Sequence, residues 1–542
     1  MAQSRAEQFV KRFDRLYDKQ RVWHPLWMDI ASYVLPRKVN VLTTRTPGTK
    51  QTEKLFDSTG IHANEVLAAS IHGALTNPVV KWFSLRMREK TLNDIQEVAV
   101  WLEECSLRIF LAIQNSNFGA QVNEVYLDLG AFGTGAVLCE ERDLLSPAFN
   151  GLVFRALTIG EYVIEEDAEG FVDTLFRKYT LPTRHVVSKW ETASQKVKDL
   201  AIKEPEYPVP FLHVVLPRLG AKATGGSKGK PFASFFVEYE SRRLLSEGGY
   251  DEFPYMVPRW ATTSGEIYGR SPGFTALPDI KTLNRAKEFD LKSWAKKLDP
   301  PLQTLDDGVI GTVKLFPGGQ TVVRQMDAIK PIDLGGDHRV NMLEANDLRG
   351  SIRQIFFNDQ LQLPDKTIIT ATEVERRLEL MQRVLGPTVG RLDSELLSPT
   401  ITRVFGLMYR RGALPPVPEV ILQAAQQQQG DIDVVSEGPL SRAQRGSELL
   451  SVQRFYELAL PLAQIRQEVL DNVNDDEVLR DIAKQAGLSA RFLRDPQEVA
   501  QLREARLQAQ EQAKQEAQAM QLAEGVSKLT PLLTATGAPS AK

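Results

Sequence analysis

Residues 275–298 read TALPDIKTLNRAKEFDLKSWAKKL, an uninterrupted helical pattern apart from Pro278. At about 100° per residue, Ile280, Leu283, Leu291, Trp294 and Leu298 fall on one stripe. Lys281, Arg285, Lys292 and Lys296 fall on a second stripe about a third of a turn away, interrupted by Glu288. An isolated surface helix presents such a basic stripe to solvent. In a symmetric assembly the same stripe can face a neighbouring copy or a central opening, and periodicity leaves both readings open.

Outward from this helix the punctuation is regular. Residues 299–337 carry Pro300-Pro301, Asp307-Gly308 and Pro317-Gly318-Gly319 around strand-like Thr321-Val322-Val323. Helix returns at 338–357, and an apolar loop with Pro364 follows. A long helical tract opens at Thr370-Ala371-Thr372-Glu373, whose Thr-x-x-Glu spacing fits a capping box, and runs to about Arg411 with bends at Gly386-Pro387 and Pro399. Residues 413–437 form a Pro- and Gln-rich return, and helices resume from Ser441. The Gln-, Ala- and Glu-rich stretch 500–524 has only a narrow stripe of Leu502, Ala505, Ala509, Ala513 and Met520, too weak for a coiled-coil seam.

Toward the N-terminus, 5–35 has helical periodicity ended by Pro36, with further helices at about 57–77, 94–115 and 119–129. Between about 150 and 262, β-branched and aromatic runs such as Phe211–Leu216 and Phe235–Tyr239 predict a small antiparallel sheet or barrel, with a loop at Gly220–Lys230. The fold class expected is mainly α with a smaller β-rich region, that is α+β.

The chain has 542 residues, enough for several domains. Lys plus Arg number 66 against 69 Asp plus Glu, a net charge of −3. A tight nucleic-acid binder gains its affinity by neutralising phosphates and carries a basic surplus. This balance argues against a sequence reader, and leaves room for a passage through which DNA slides. Two cysteines, Cys105 and Cys139, cannot build a disulfide framework. No secretory signal opens the chain, and no apolar run reaches the ~18 residues of a membrane helix.

Chemistry is hard to find. Gly225-Gly226-Ser227-Lys228-Gly229-Lys230 fails as a phosphate loop, because Thr224 stands where its first glycine belongs and Pro231 replaces the magnesium-binding hydroxyl. Gly133 and Gly135 fail as a dinucleotide fingerprint, since Leu138 occupies the third glycine position; close helix packing accounts better for them and for Gly130. His24, His62, His72, His185, His213 and His338 form no metal-ligand spacing, Asp431-Ile432-Asp433 lacks further calcium ligands, and Gly-x-Ser-x-Gly is absent. The expectation is no enzyme, no cofactor and no metal.

Five ordered motifs carry a resemblance. They are Trp27-Met28-Asp29-Ile30-Ala31-Ser32-Tyr33-Val34-Leu35-Pro36-Arg37; Phe56-Asp57-Ser58-Thr59-Gly60 with Leu75–Pro78 and Trp82-Phe83; Ala131-Phe132-Gly133-Thr134-Gly135; Tyr268-Gly269-Arg270-Ser271-Pro272 with Ala276–Asn284; and Thr370–Val374. In this order the chain resembles the head-to-tail connector (portal) family of podovirus-type phages over nearly its whole length. The resemblance implies a portal fold of mainly α character assembled as a ring, the dodecamer usual in that family, around double-stranded DNA. It divides the chain into a helical wing part (1–150), a β-rich wing region (151–270), a first stem helix (271–298), a clip (299–337), a second stem helix (338–357), a tunnel loop (358–371), a long wing/crown helix (372–412), a return (413–440) and a C-terminal crown (441–542). It implies DNA contact, without base recognition, from Gln360, Gln362, Lys366 and Thr367 in the tunnel loop; it places Lys281, Arg285, Lys292 and Lys296 on the first stem helix, and Lys314, Phe316 and Arg324 in the clip, which faces the packaging motor and later the tail adaptor. The implied partners are copies of the chain, terminase, major capsid and scaffold proteins, tail adaptors and internal core or ejection proteins, with no membrane. The implied location is a capsid vertex of the virion, after synthesis in the host cytoplasm. A tail adaptor or internal core protein is the alternative, and it lacks the helix–clip–helix–loop–long helix order.

Overall fold

The structure, a computed structural model, describes residues 2–38, 55–142, 148–218, 229–332, 338–361, 386–426, 431–436, 452–459, 461, 473–485 and 488–533. It is an α+β fold whose chain divides into two compact units. The first holds residues up to Ser84, Ser106–Leu414 and Val434–Gln444; the second holds Leu85–Cys105, Pro415–Asp433 and Arg445–Lys542.

The chain opens with α1 (Ala2–Gln20) and α2 (His24–Val34), joined by a 3₁₀ turn at Arg21–Trp23. One continuous helix was expected here. Pro25 has no N–H to offer the carbonyl of Arg21, so the helix restarts instead of continuing. Next come α3 (Thr59–Leu75), β1 (Phe83–Met87), the single turn α4 (Lys90–Asn93), α5 (Gln96–Gln114) and α6 (Phe118–Phe132).

The β-rich region forms two antiparallel sheets. Strand β2 (Ala136–Glu141) lies between β3 (Leu152–Leu157) and β9 (Tyr255–Met256). The strands β4 (Tyr162–Glu166), β5 (Val172–Pro182), β6 (Pro208–Pro217), β7 (Phe232–Glu238) and β8 (Arg243–Tyr250) form a five-stranded meander in chain order. Alternation along β6 explains its two dry faces. Leu212 and Val214 meet Val10, Phe13 and Leu16 of α1, with Phe176 and Val237 in the same core. Val209 and Phe211 point the other way, into Val186, Trp190 and Val197. These belong to α7 (Thr183–Lys189), its exit and α8 (Gln195–Lys203), two helices that the period-2 reading of this region did not foresee. The sheet is therefore a layer between helices rather than a closed barrel.

The first unit continues with α9 (Pro272–Leu298), a ribbon of four short strands, α10 (His338–Ile355) and the one-turn α11 (Asn358–Leu361). The chain re-enters the described structure as helix at 386, passes a π-helical turn at Asp393–Leu397 and runs into α12 (Ser398–Arg410). Carboxylates hold α12 to the sheets, Asp251 among them through Arg410 at 3.3 Å. Glu252 accepts from Arg403 at 2.9 Å and from Arg410 at 2.6 and 2.7 Å, and buried Glu141 accepts from Arg411 at 3.0 Å.

In the second unit, α13 (Glu419–Gln426), α14 (Asp475–Gln485) and α15 (Pro496–Leu533) accompany the first half of α5. Gln96 donates to the Leu493 carbonyl at 2.8 Å, Ser489 pairs with Glu103 at 3.0 Å, and Arg503 grips both oxygens of Asp476 at 2.6 and 2.7 Å. No helix among the described residues is long and apolar enough to cross a membrane.

Candidate channel hairpin

The quoted motifs meet one another at the foot of α9. At the C-terminal end of α6 the backbone turns left-handed at Gly133 (φ 77°), the usual way a helix ends on glycine. Gly133 and Gly269 pass there backbone to backbone, and Thr134 Oγ1 accepts from the Gly269 N–H at 2.8 Å. The tight contact at Gly133 is between a helix end and a loop, not between two helices. Ser271 then caps α9: its Oγ accepts from the Phe274 N–H at 3.3 Å and donates to the Ala131 carbonyl at 2.6 Å. Trp260 N–H to Gly133 O at 2.9 Å and Arg270 N–H to Ala261 O at 2.7 Å complete the crossing.

A second junction ties α9 to the other motif. Asn284 Oδ1 accepts from the backbone N–H groups of Phe56 and Asp57 at 2.7 and 3.3 Å. Asp57 caps the start of α3 through the Thr59 N–H at 2.9 Å, and its other oxygen accepts from Arg349 of α10 at 2.8 Å. Burial pushes the Asp57 carboxyl up, but the Thr59 bonds and Arg349 outweigh it and hold the group below the usual carboxylate value. Ser351 of α10 donates to Asp279 of α9 at 2.8 Å, and the two helices pack along each other.

Between them stands the ribbon. Strands β10 (Leu302–Thr304) and β13 (Ile329–Pro331) pair antiparallel with Leu302 opposite Pro331, and β11 (Val309–Ile310) pairs with β12 (Val322–Val323). The chain thus leaves on α9, folds into the ribbon and returns on α10. Ala328 is buried at 1%, whereas Leu305, Ile310, Leu315, Phe316, Val322 and Met326 are all exposed.

The apolar stripe of α9 is covered for only half its length. Ala276, Leu277, Ile280 and Leu283 are buried against α2, α3, α6 and α10. Farther along, Leu291 is 49% exposed, Trp294 59% and Leu298 84%. The helix therefore outruns the core that supports its first turns.

The stem residues singled out from sequence differ in their surroundings. Lys281 pairs with Asp29 of α2 at 2.6 Å, and Lys292 with Glu288 one turn back at 2.6 Å. Both pairs are solvent-exposed and contribute at most about 1 kcal/mol each. The Arg285 guanidinium lies 5.6 Å from the Phe289 ring centre. Lys296 borders a cleft shared with Pro300, Leu302 and Leu315 at the join of helix and ribbon. In the ribbon, the Lys314 N–H donates to Thr321 Oγ1 at 3.0 Å, Phe316 is 63% exposed, and the Arg324 N–H donates to the Gly308 carbonyl at 2.9 Å. Gln360 lies in α11, while Gln362, Lys366 and Thr367 and the Thr370–Val374 motif lie outside the described residues. Among the described residues, no group of three or more His, Cys, Asp or Glu side chains is placed to hold a metal. The residues that sequence reading missed are Arg349, which carries no motif signal, and Arg259, which is described below.

A family model described as bacteriophage head to tail connecting protein matches residues 6–493. The portal protein of Salmonella phage epsilon15 is 28% identical over 556 residues, covering 100% of this chain and 98% of that protein. The probable portal protein of Bordetella phage BPP-1 is 30% identical over 548 residues, covering 97% and 96%. Among solved structures, a chain from the neck of an empty gene transfer agent particle aligns at 10% identity with a TM-score of 0.33, covering 72% of this chain and 84% of that one. A chain from the virion of a native gene transfer agent particle aligns at 11% identity with a TM-score of 0.29, covering 73% and 99%.

Proposed function

This chain belongs to the bacteriophage head to tail connecting protein family, and on that premise we propose that it is the portal subunit whose copies close into a ring, twelve to the turn, at one capsid vertex of the virion. It is a structural protein. In this reading α9 and α10 are the paired stem helices, the ribbon is the clip, residues 358–371 are the tunnel loop, and the C-terminal helices build the crown. The N-terminal helices and the two sheets make the wing, against capsid and scaffold proteins.

The observation that carries the reading is the half-covered stripe of α9. Leu291, Trp294 and Leu298 continue the line of Ile280 and Leu283, yet stand exposed together with the apolar side chains of the ribbon. A patch of this kind on one subunit marks a surface that another chain covers. In a closed ring every copy presents the same patch to its neighbour, so symmetry satisfies it without a second protein.

The DNA passage follows from repetition. Lys281 and Lys292 are already engaged with Asp29 and Glu288, which weakens what these two offer the duplex. Many weak phosphate contacts around a bore guide DNA without pinning it, whereas a few strong ones would act as a brake. The energy for packaging comes from the separate terminase ATPase, which docks on the clip before the tail adaptors do. Internal core or ejection proteins stack on the inner face.

Electron microscopy of the purified full chain tests the ring, which is expected as a closed particle with a central hole. A Lys366→Ala variant tests the loop: it is expected to assemble but to package or retain DNA differently. A solved assembly that holds α9 and α10 away from the central axis sinks the proposal.

A further inference from the structure

One side chain joins three parts of the first unit. Arg259 is 4% exposed at its side chain. Its Nη2 donates to Glu395 Oε1 at 2.6 Å and to the Gly170 carbonyl at 2.8 Å. Its Nε donates to Glu395 Oε1 at 3.2 Å, and its backbone N–H to Glu395 Oε2 at 2.8 Å. Nη1 pairs with Glu166 and reaches the Ile267 carbonyl at 3.3 Å. Glu166 and Gly170 flank the β4–β5 turn, Ile267 leads into the Tyr268–Pro272 crossing at the foot of α9, and Glu395 sits in the π-helical turn before α12.

A π-turn holds one more residue than the α-helix around it, a register that persists only where something retains it. On its C-terminal side the chain is anchored, since Leu396, Leu397, Ile401 and Val404 are buried and Arg403 is held by Glu252. On its N-terminal side, Pro387, Gly390 and Arg391 border an open cleft of 530 Å³ that also contacts Glu169 and Thr263. The register leaves a defect: Asp393 Oδ1 is buried and has no hydrogen-bond partner among the described residues. The visible retention is the carboxylate of Glu395, with both oxygens on Arg259.

We propose that the Asp393–Leu397 turn is a joint and that Glu395 on Arg259 is its latch. When the latch opens, the turn relaxes into α-register. The helical segment 386–392 then rotates by about 100° and shifts by about 1.5 Å relative to α12. Because the same guanidinium holds the β4–β5 turn and the loop into α9, the movement is felt at both. The inference deepens the portal reading, since residues 362–385, which that reading directs partly toward DNA, lead straight into this segment.

Hydrogen exchange on the full chain tests the joint, run both on the monomer and on the assembled particle. Glu395→Gln keeps the shape and removes the charge. It is expected to speed amide exchange in 386–397 at least tenfold and to raise it also in 166–171. Unchanged exchange in 386–397, or a rise there with 166–171 unmoved, overturns the latch. Deleting Ser394, which is exposed, removes the extra residue and is expected to slow exchange across 390–398 below wild type. Equal or faster exchange in a folded deletion variant overturns the joint, and Glu395→Gln decides alone if that variant does not fold. A wild-type chain that forms no ring counts against the assembly reading and leaves the monomer comparison intact, so the two failures are distinct.

Discussion

Gly133 and Gly269 cross so closely that neither position has space for a β-carbon. One built at 133 stands 2.4 Å from the Gly269 carbonyl oxygen, and one built at 269 stands 2.2 Å from the Gly133 carbonyl oxygen. Both obstacles are backbone, which cannot rotate away. Gly133→Ala adds the strain of a positive φ, so each alanine variant is expected to lose about 3 kcal/mol or more. Gly151→Ala is the control: φ there is 100° but the space is open, so about 1 kcal/mol is expected. Urea midpoints of the three variants check this, and equal losses at all three refute the crossing.

Glu252 is one of the carboxylates that hold α12 to the sheet side of the first unit, and Gly406 is where the helix makes room for it. A β-carbon at 406 stands 2.1 Å from Glu252 Oε1. Glu252→Gln leaves the Arg403 guanidinium, 4% exposed, without its counter-charge, at a cost of about 3 kcal/mol. Gly406→Ala displaces the same carboxylate. The double variant is therefore expected to lose clearly less than the sum of the two, as in any pair sharing one interaction. Additive losses count against a shared contact.

His213 makes the fold acid-sensitive. It is buried between Tyr255 Oη at 2.6 Å and Ser234 Oγ at 3.0 Å, and stacks on Phe236 with 4.2 Å between ring centres. Burial, then the charges of Arg177 and Lys189, push its pKa down to about 3. An unfolded histidine takes up its proton near 6.5, so the stability held by the neutral ring is intact above that pH and drains away as pH falls toward 3. Between pH 7.5 and 5 the loss from this residue is about 2 kcal/mol. His213→Gln, which cannot charge, is expected to be the weaker protein at pH 7.5 and to close much of the gap at pH 5. Parallel pH profiles from denaturant titrations of the two proteins contradict this account.

Leu291→Asp with Leu298→Asp separates folding from assembly. Both side chains lie on the uncovered half of α9, so the melting temperature of the monomer is expected to stay within about 2 °C of wild type. Ring formation, followed by light scattering and electron microscopy, is expected to be abolished. Rings of normal yield from the double variant remove the apolar stripe as the subunit contact.

Much of the hairpin was legible because each part has its own local signal. The 3.6-residue stripe located α9, and the Pro and Gly punctuation located the ribbon. The motifs 131–135, 268–272, 56–60 and 276–284 were recognised only as an ordered set. The structure gives the physical reason they occur together, since Gly133 meets Gly269 and Asp57 meets Asn284. The break at Arg21–Trp23 was less visible because hydrophobic periodicity runs straight through it. Helices α7 and α8 were hidden by their β-branched composition, Val186, Val187 and Val197 among them, which reads as strand without its context. Arg259 had no signal at all: its partners Glu166, Gly170, Ile267 and Glu395 come from distant segments that only the folded chain brings together.

The register that sets Leu302 opposite Pro331 closes the ribbon at its base. Everything beyond that pair is an excursion whose two ends are already fastened side by side, so its length and sequence are decoupled from the helices that carry it. A chimaera made by swapping residues 303–330 between relatives should therefore fold with the host protein's stability, the buried half of α9 being left unaltered.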